Sequence, residues 1–352
     1  MYKREYLKEN VKWYAIDSKG LCLYNDKKSV YRLDKNEEIF NHNIELQEII
    51  CKEHFFINDF EGKGIYFDDS LKTHIVDGFI NGFQGNFIVF FRLENEIRNT
   101  ILFDIEEKNQ YEIKFATRFD FISKQIYARK IFENNSIEAF KFPNGISLWQ
   151  YSNFSKFNWM QKSIYEGEPE EEKQAEVIKF LGVYKNELWL VLNSGALLAL
   201  NIETGIESRY IKEGKMIIGE SDFEDFKGYF GYDTVIDEES GLIFNLNRHF
   251  YVEYNLNYDN TYFDSYSFKE SSQEHKLNLN YVGGFDEAYI YSYEGSDNNR
   301  FAIFSREKKE VIWSSEIEEV KGKFPAIRDL QYGAEKIYVL DHDNTLHIFE
   351  KE

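Results

Sequence analysis

Seven times along this chain a short run of β-branched and aromatic residues is followed by a turn and a second such run. This recurrence limits the fold more than any other feature. The clearest copies are FIVFF then TILFDI, LWLVL then ALLALNI, YIYSY then FAIFS, and IYVLD then TLHIFE. A unit of this size cannot bury its apolar faces alone, so successive units must pack against one another. The expected fold is all-β: a single β-propeller over residues 1–352, built of four-stranded antiparallel blades.

The middle hairpin of each blade reads most clearly. The pairs are Phe55–Ile57 with Ile65–Phe67, Phe87–Phe91 with Ile101–Ile105, Ile126–Arg129 with Ile137–Phe140, and Leu188–Leu192 with Ala196–Leu200. Leu242–Leu246 with Phe250–Tyr254, Ala288–Tyr291 with Phe301–Phe304, and Ile337–Leu340 with Leu346–Phe349 complete the set. The turns between them carry Gly, Asn and Asp, which tolerate positive φ or close a turn with a side chain. The last hairpin ends the chain without an outer strand. An N-terminal strand joining the C-terminal blade supplies one and closes the ring, which removes exposed edges. Seven blades are favoured. Trp13–Asp17, Leu21–Tyr24 and Val30–Leu33 leave eight as the other count. Helix is scarce, and Glu170–Phe180 reads as an acidic extended loop running into a strand.

Composition fits this reading. The chain holds 32 Phe and 25 Tyr, residues that favour strands, in place of a helix-forming excess of Leu and Ala. The formal charge of −20 repels phosphate backbones and anionic membranes and attracts basic proteins or cations, so neither nucleic acid nor membrane is an expected partner. Cys22 and Cys51 lie in apolar runs and offer neither a disulfide framework nor metal spacing. The N-terminal MYKREYLKENVKWY lacks the apolar stretch of a secretion signal, and no run reaches the length of a membrane span, so a cytoplasmic location is expected.

The stretches IEAFKFPNGISLWQYS and LLALNIETGIESRYI carry a family likeness. Ala139 to Trp149 and Ala199 to Arg209 resemble the quinoprotein-type, WD40-like propeller repeat, in which a strand meets a Thr-Gly turn and then a strand bearing Trp. Asn201, Glu203, Thr204 and Gly205 match the turn. Trp149 and Trp313 stand where the repeat's docking tryptophan would. The resemblance implies architecture only. Cofactor-dependent dehydrogenases with this repeat carry adjacent cysteines, a calcium-binding carboxylate set and a secretion signal, and here there is no Cys-Cys pair and no signal. No cofactor is expected.

Signatures of catalysis are missing. No H-x-x-x-H or H-E-x-x-H pattern occurs. His342 and His347 flank Asp341 and Asp343, a set able to hold a transition metal, but Asp341-His342-Asp343-Asn344 reads more simply as a polar turn. GYFGYD (Gly228–Asp233) lacks the Lys-Ser/Thr of a phosphate loop, no Gly-x-Ser-x-Gly elbow appears, and the loop around Asp297-Asn298-Asn299 lacks the bidentate Glu of a calcium loop. No metal site is expected, and no catalytic residue.

What remains points to binding. Residues 166–176, EGEPEEEKQAE, form an acidic inter-blade loop expected to project as a solvated face. Tyr151, Phe154, Phe157 and Trp159 lie on one side of it in sequence, and Tyr229, Phe230 and Tyr232 on the other. Exposed aromatics beside acids make interface anchors. The expected partner-binding residues are Glu170, Glu171, Glu172, Trp159, Tyr229 and Phe230. The expected function is non-enzymatic: a propeller that holds a basic protein partner on an acidic loop face, one concrete case being a bacterial immunity protein that neutralises a cationic toxin. The competing reading is a propeller hydrolase or lyase with carboxylates at the central channel.

Overall fold

The computed structural model describes residues 2–51, 54–76, 78–84, 87–94, 97–113, 119–161, 169–219, 228–295, 298–318 and 326–351. The fold is an all-β propeller of eight antiparallel blades. All seven hairpins expected from the sequence are present, each as the second and third strands of a blade. Eight blades replace the favoured seven. The reason lies at the N-terminus, where Trp13–Ile16, Cys22–Asn25 and Ser29–Arg32 gain a fourth strand, Glu37–Asn41. That strand, EEIFN, is largely exposed and polar, and so carries little apolar signature. Counted in chain order, blades 1–8 span residues 13–41, 46–76, 79–113, 121–151, 177–211, 213–267, 281–316 and 327–351; the chain's first strand, Tyr2–Lys8, runs antiparallel to the last, Leu346–Lys351, and supplies the outer strand of blade 8.

Two compact units are distinguishable: residues 1–117 with 270–352, holding blades 1–3, 7 and 8, and residues 118–269, holding blades 4–6. In the first unit, the trailing loop of blade 1 is tied to blade 2 by His42, whose Nε2 lies 3.2 Å from the buried Asp59 carboxylate. The Tyr14 hydroxyl donates to the carbonyl of Tyr338 at 2.9 Å, linking blades 1 and 8.

Central strands are sandwiched between neighbouring sheets and bury both faces, so they read as continuous apolar runs. Leu188–Leu192 and Leu197–Leu200 are buried at every position. Outer strands bury one face: in Ile146–Tyr151 only Trp149 and Tyr151 are buried, with Leu148 half-buried. Trp149 docks on the neighbouring blade as the repeat resemblance implies. Its Nε1 donates to the Ile202 carbonyl at 2.8 Å, and its indole lies over Gly205. A Cβ there would come within 2.5 Å of Trp149 Cδ2, and Gly205 sits at φ +67°, so both space and backbone require glycine. Asn201 Oδ1 accepts from the Glu203 and Thr204 amides and fixes the turn. Trp313 packs in the first unit against Phe301 and Tyr2, with ring centroids 5.6 and 5.5 Å away.

Three features were not legible. Glu213–Ile218 runs parallel to Tyr262–Ser267 and makes blade 6 five-stranded. A 3₁₀ turn spans Phe154–Phe157, and a one-turn-and-a-half helix spans Lys269–Glu274.

Candidate functional site

The acidic and aromatic residues singled out by the sequence all fall in the unit of blades 4–6. Residues 166–168 lie outside the described residues. The rest of the acidic segment does not loop out freely. Glu171–Lys173 pairs antiparallel with Trp159–Gln161, placing Met160 opposite Glu172 and Trp159 opposite Lys173. Like-charged neighbours would otherwise repel into an extended, mobile run. Three asparagines hold the backbone instead. Asn158 Oδ1 accepts from the Ala175 amide at 3.2 Å, Asn135 Nδ2 donates to the Ala175 carbonyl at 2.8 Å, and Asn193 Nδ2 donates to the Gln174 carbonyl at 2.9 Å. Asn193 also accepts from the Glu176 amide at 3.1 Å. Asn135 and Asn193 stand in the hairpin turns of blades 4 and 5, so residues 174–176, just after the acidic strand, are stapled to two blades. Glu170, Glu171 and Glu172 remain exposed. Within that strand Glu171 meets Lys173 at 2.6 Å, a surface pair of small energetic weight.

Beside this strand a cleft of about 510 Å³ opens between blades 4 and 5, lined by Asp120, Lys130, Phe132, Glu176, Lys179 and Tyr232 among others. Lys130 Nζ donates to Glu176 at 3.0 Å and to the Val177 carbonyl at 3.2 Å. It also lies 4.9 Å from the centre of the Phe132 ring. Lys179 donates to the Tyr232 carbonyl at 2.8 Å. Burial lowers its proton affinity, partly offset by Asp233, and burial likewise pushes the Asp233 carboxyl up. Phe132 is 60% exposed, Tyr232 70% and Met160 52%. Both lysines of the cleft are engaged by oxygens of the chain, while the rings and glutamates around them face solvent. This arrangement offers anchoring surface and negative charge; no nucleophile–base pair is assembled in it.

The remaining expected anchors divide. Tyr229 is 38% exposed, its hydroxyl accepts from Asn247 Nδ2 at 2.9 Å, and its carbonyl accepts from Asn245. Trp159 is half-buried at the base of the two-stranded sheet. Phe230 is a correction: it is fully buried, edge-on to Phe263 at 5.1 Å, with its amide donating to the Gly195 carbonyl. In GYFGYD the chain turns inward at Phe230 and outward at Tyr229 and Tyr232, an alternation that a loop assignment hides. Tyr151, Phe154 and Phe157 are likewise core. The 3₁₀ turn tucks Phe154 against Tyr151 and stacks Phe157 on Tyr210 at 4.2 Å. Phe132, Lys130 and the three asparagines were not anticipated. A hint lay in the Asn at or next to the turns, residues that bond to neighbouring backbone.

Other residues weighed from the sequence have structural places. Asp341 Oδ1 accepts from the Asp343 and Thr345 amides, and its Oδ2 lies 2.8 Å from His347 Nε2, both side chains buried. Among the described residues no group of three or more His, Cys, Asp or Glu is arranged to hold a metal. Asp297 lies outside the described residues. Cys22 is buried and Cys51 half-buried, and burial pushes the Cys51 thiol up to about 12. Among the described residues no helix is long and apolar enough to cross a membrane.

A second cluster stands on first strands of the other unit. Burial raises the carboxyls of Asp329 and Glu48, and for Glu48 the nearby Asp329 adds to the rise. Asp329 accepts from Gln331 Nε2 at 2.9 Å. Arg328 lies 4.3 Å over the Trp13 ring, donates to Asn344 at 3.0 Å, and also reaches the Lys12 carbonyl.

No protein-family model matches the chain, and no curated protein matches it in sequence. Solved structures do match in fold. The Saccharomyces cerevisiae protein Sqt1 is 7% identical over 100% of this chain and 98% of its own, with a TM-score of 0.57. The C-terminal WD40 domain of Sif2 is 10% identical over 100% and 99%, also at 0.57. The computationally designed protein Ika8 is 10% identical over 97% and 96%, at 0.56. At these identities the likeness is one of architecture, which is that of WD40-type β-propellers.

Proposed function

We propose that the chain acts as a non-enzymatic binding propeller, one domain over residues 1–352, whose ring is closed by the sheet that Tyr2–Lys8 shares with blade 8. Its partner is a basic protein, held on the acidic and aromatic loop end of blades 4–6. The observation that carries this reading is the exposed Glu170, Glu171 and Glu172, with Glu172 paired opposite the exposed Met160 and the following residues 174–176 held by asparagines, and with Glu176 lining a cleft that holds the exposed Phe132 and Tyr232. Ordering the acids before binding lowers the entropy lost on association. The surrounding charge speeds encounter with a cationic surface. An immunity-type role, neutralising a cationic toxin in the cytoplasm, fits the same chemistry.

The test is capture from the native host's lysate at low and high salt, using wild type and a Glu170→Gln, Glu171→Gln, Glu172→Gln triple variant. Wild type should enrich a basic protein at low salt and release it at high salt, and the triple variant should lose most of that enrichment. Equal capture by both, or enrichment of no basic protein, removes the electrostatic argument. An immunity role further requires that co-expression suppress the captured partner's toxicity.

A second reading draws on Glu48 and Asp329. Carboxyls with raised proton affinity on first strands, which face the central channel of a propeller, are what a hydrolase or lyase needs. Hydrolase and lyase substrate panels test it: turnover lost in both Glu48→Gln and Asp329→Asn supports it, and no turnover by wild type ends it.

A further inference from the structure

Between blades 2 and 3 lies a hollow of about 280 Å³ that the binding role leaves unused. Its floor is apolar and buried: Phe56, Ile80, Ile88, Phe90 and Ile105. Protein interiors pack densely, and voids larger than a water are few. Water does not settle well in such a space, because it needs two to four polar partners and the floor supplies none. One wall is stiff. Tyr66 stacks on His74 with centroids 4.6 Å apart and rings 14° from parallel. His74 Nε2 in turn lies 2.8 Å from Asp68.

Polar groups gather only at the mouth, and they carry both signs. Asp68 is fully engaged: besides His74, it accepts from the Ser70 amide and hydroxyl and from the Lys72 amide. Asp69 is mostly exposed, and its carboxylate lies 3.6 Å from His54 Nδ1. Lys108 also lines the hollow, is exposed, and makes no ion pair among the described residues. An apolar floor whose lining also carries a mostly exposed carboxylate and an ammonium in no ion pair matches a particular ligand chemistry. We propose that this hollow binds a free amino acid with a large apolar side chain, the side chain inserted among Phe56, Ile88 and Phe90 and the charged head set between Asp69 and Lys108. The site is independent of the protein-partner reading, since it lies in the other unit and uses none of its residues.

Calorimetric titration of the full chain tests this with L-phenylalanine, L-leucine, glycine, phenethylamine and 3-phenylpropionate. Phenylalanine or leucine should bind saturably and glycine should not. Removing either charge of the ligand should weaken binding about tenfold or more, the usual weight of a hydrogen bond to a charged group. Asp69→Asn and Lys108→Asn should each cost a similar factor. Lys108 sits at φ +55°, where asparagine is well tolerated, so the fold is preserved. Val76→Phe should fill the hollow and abolish binding while keeping the unfolding midpoint. Any one of three results overturns the proposal: no saturable binding of either apolar amino acid at about millimolar concentration, phenethylamine or phenylpropionate binding as tightly as phenylalanine, or undiminished affinity in a folded Val76→Phe variant.

Discussion

Substituting Gly205 by alanine probes how one blade locks to the next. Two costs add. An alanine at φ +67° occupies the left-handed region, which disfavours a Cβ by about 1–2 kcal/mol. That Cβ also meets the Trp149 indole at 2.5 Å, far inside contact distance, and forces the ring off its seat at an overpacking cost of about 1–3 kcal/mol. The expected loss is about 2–5 kcal/mol. At about 1.4 °C per kcal/mol for a chain of 352 residues, a mid-range value lowers the melting temperature by about 4–5 °C.

The second cost depends on the indole and the first does not. Trp149→Ala alone should cost about 3–5 kcal/mol, as a buried aromatic that also donates to the Ile202 carbonyl. In that background Gly205→Ala should cost only the backbone share, about 1–2 kcal/mol. A double-mutant cycle by urea unfolding, followed by far-UV circular dichroism, should therefore return a coupling of about 1–3 kcal/mol. Additivity within about 0.5 kcal/mol would refute the docking argument, because Gly205 would then matter for its φ alone.

Three further outcomes are expected. Phe230→Ala should lose about 3–5 kcal/mol in urea unfolding, whereas Tyr229→Ala should lose less than about 1.5 kcal/mol; similar losses would contradict their assignment to core and surface. Asn193→Ala removes two bonds to residues 174 and 176, just after the acidic strand, and should speed amide exchange at Glu176 by about tenfold; unchanged exchange would mean the asparagine staples nothing. Glu48→Gln tests the raised carboxyl, which burial and then Asp329 push up. The folded chain keeps that proton to higher pH than the unfolded chain does, so the penalty is absent below the unfolded value of about 4.3 and complete above the folded one. The variant should thus be more stable than wild type at pH 7 and lose that advantage near pH 4, as compared by urea midpoints; a variant less stable at pH 7 refutes the sign.

Legibility in the sequence followed burial. Leu188–Leu192 and Leu197–Leu200 are enclosed on both faces, and runs of that kind announce themselves as apolar hairpins. Glu37–Asn41 faces solvent for much of its length, so its strand leaves little apolar trace and the blade count falls one short, while the largely exposed Glu213–Ile218 gives no sign of its parallel pairing. The Thr204-Gly205 turn and Trp149 were readable because a steric demand fixes residue type there. The aromatics of the loops were not. Phe154, Phe157 and Phe230 look in sequence like Tyr229 and Tyr232, and only the 3₁₀ turn and the reversal at Gly228–Asp233 decide which rings turn inward.

The acidic surface shows why side-chain count alone is a poor guide to a binding face. Three successive glutamates on a free loop would spread to relieve repulsion, and a partner would have to gather them at an entropic cost. Here the ordering is carried by neutral residues. Asn135, Asn158 and Asn193 bond to the backbone at residues 174–176, just after the strand; Asn158 Nδ2 also donates to Glu172 at 3.3 Å, Lys173 pairs with Glu171, and Lys130 pairs with Glu176 beside the cleft. Had the strand been tied down by lysines instead, the clamps would have cancelled the field they position. A backbone ordered by neutral residues, with Glu170 and Glu172 in no ion pair among the described residues, is the combination that favours fast, salt-sensitive association, and the three asparagines are what separates it from a merely soluble acidic loop.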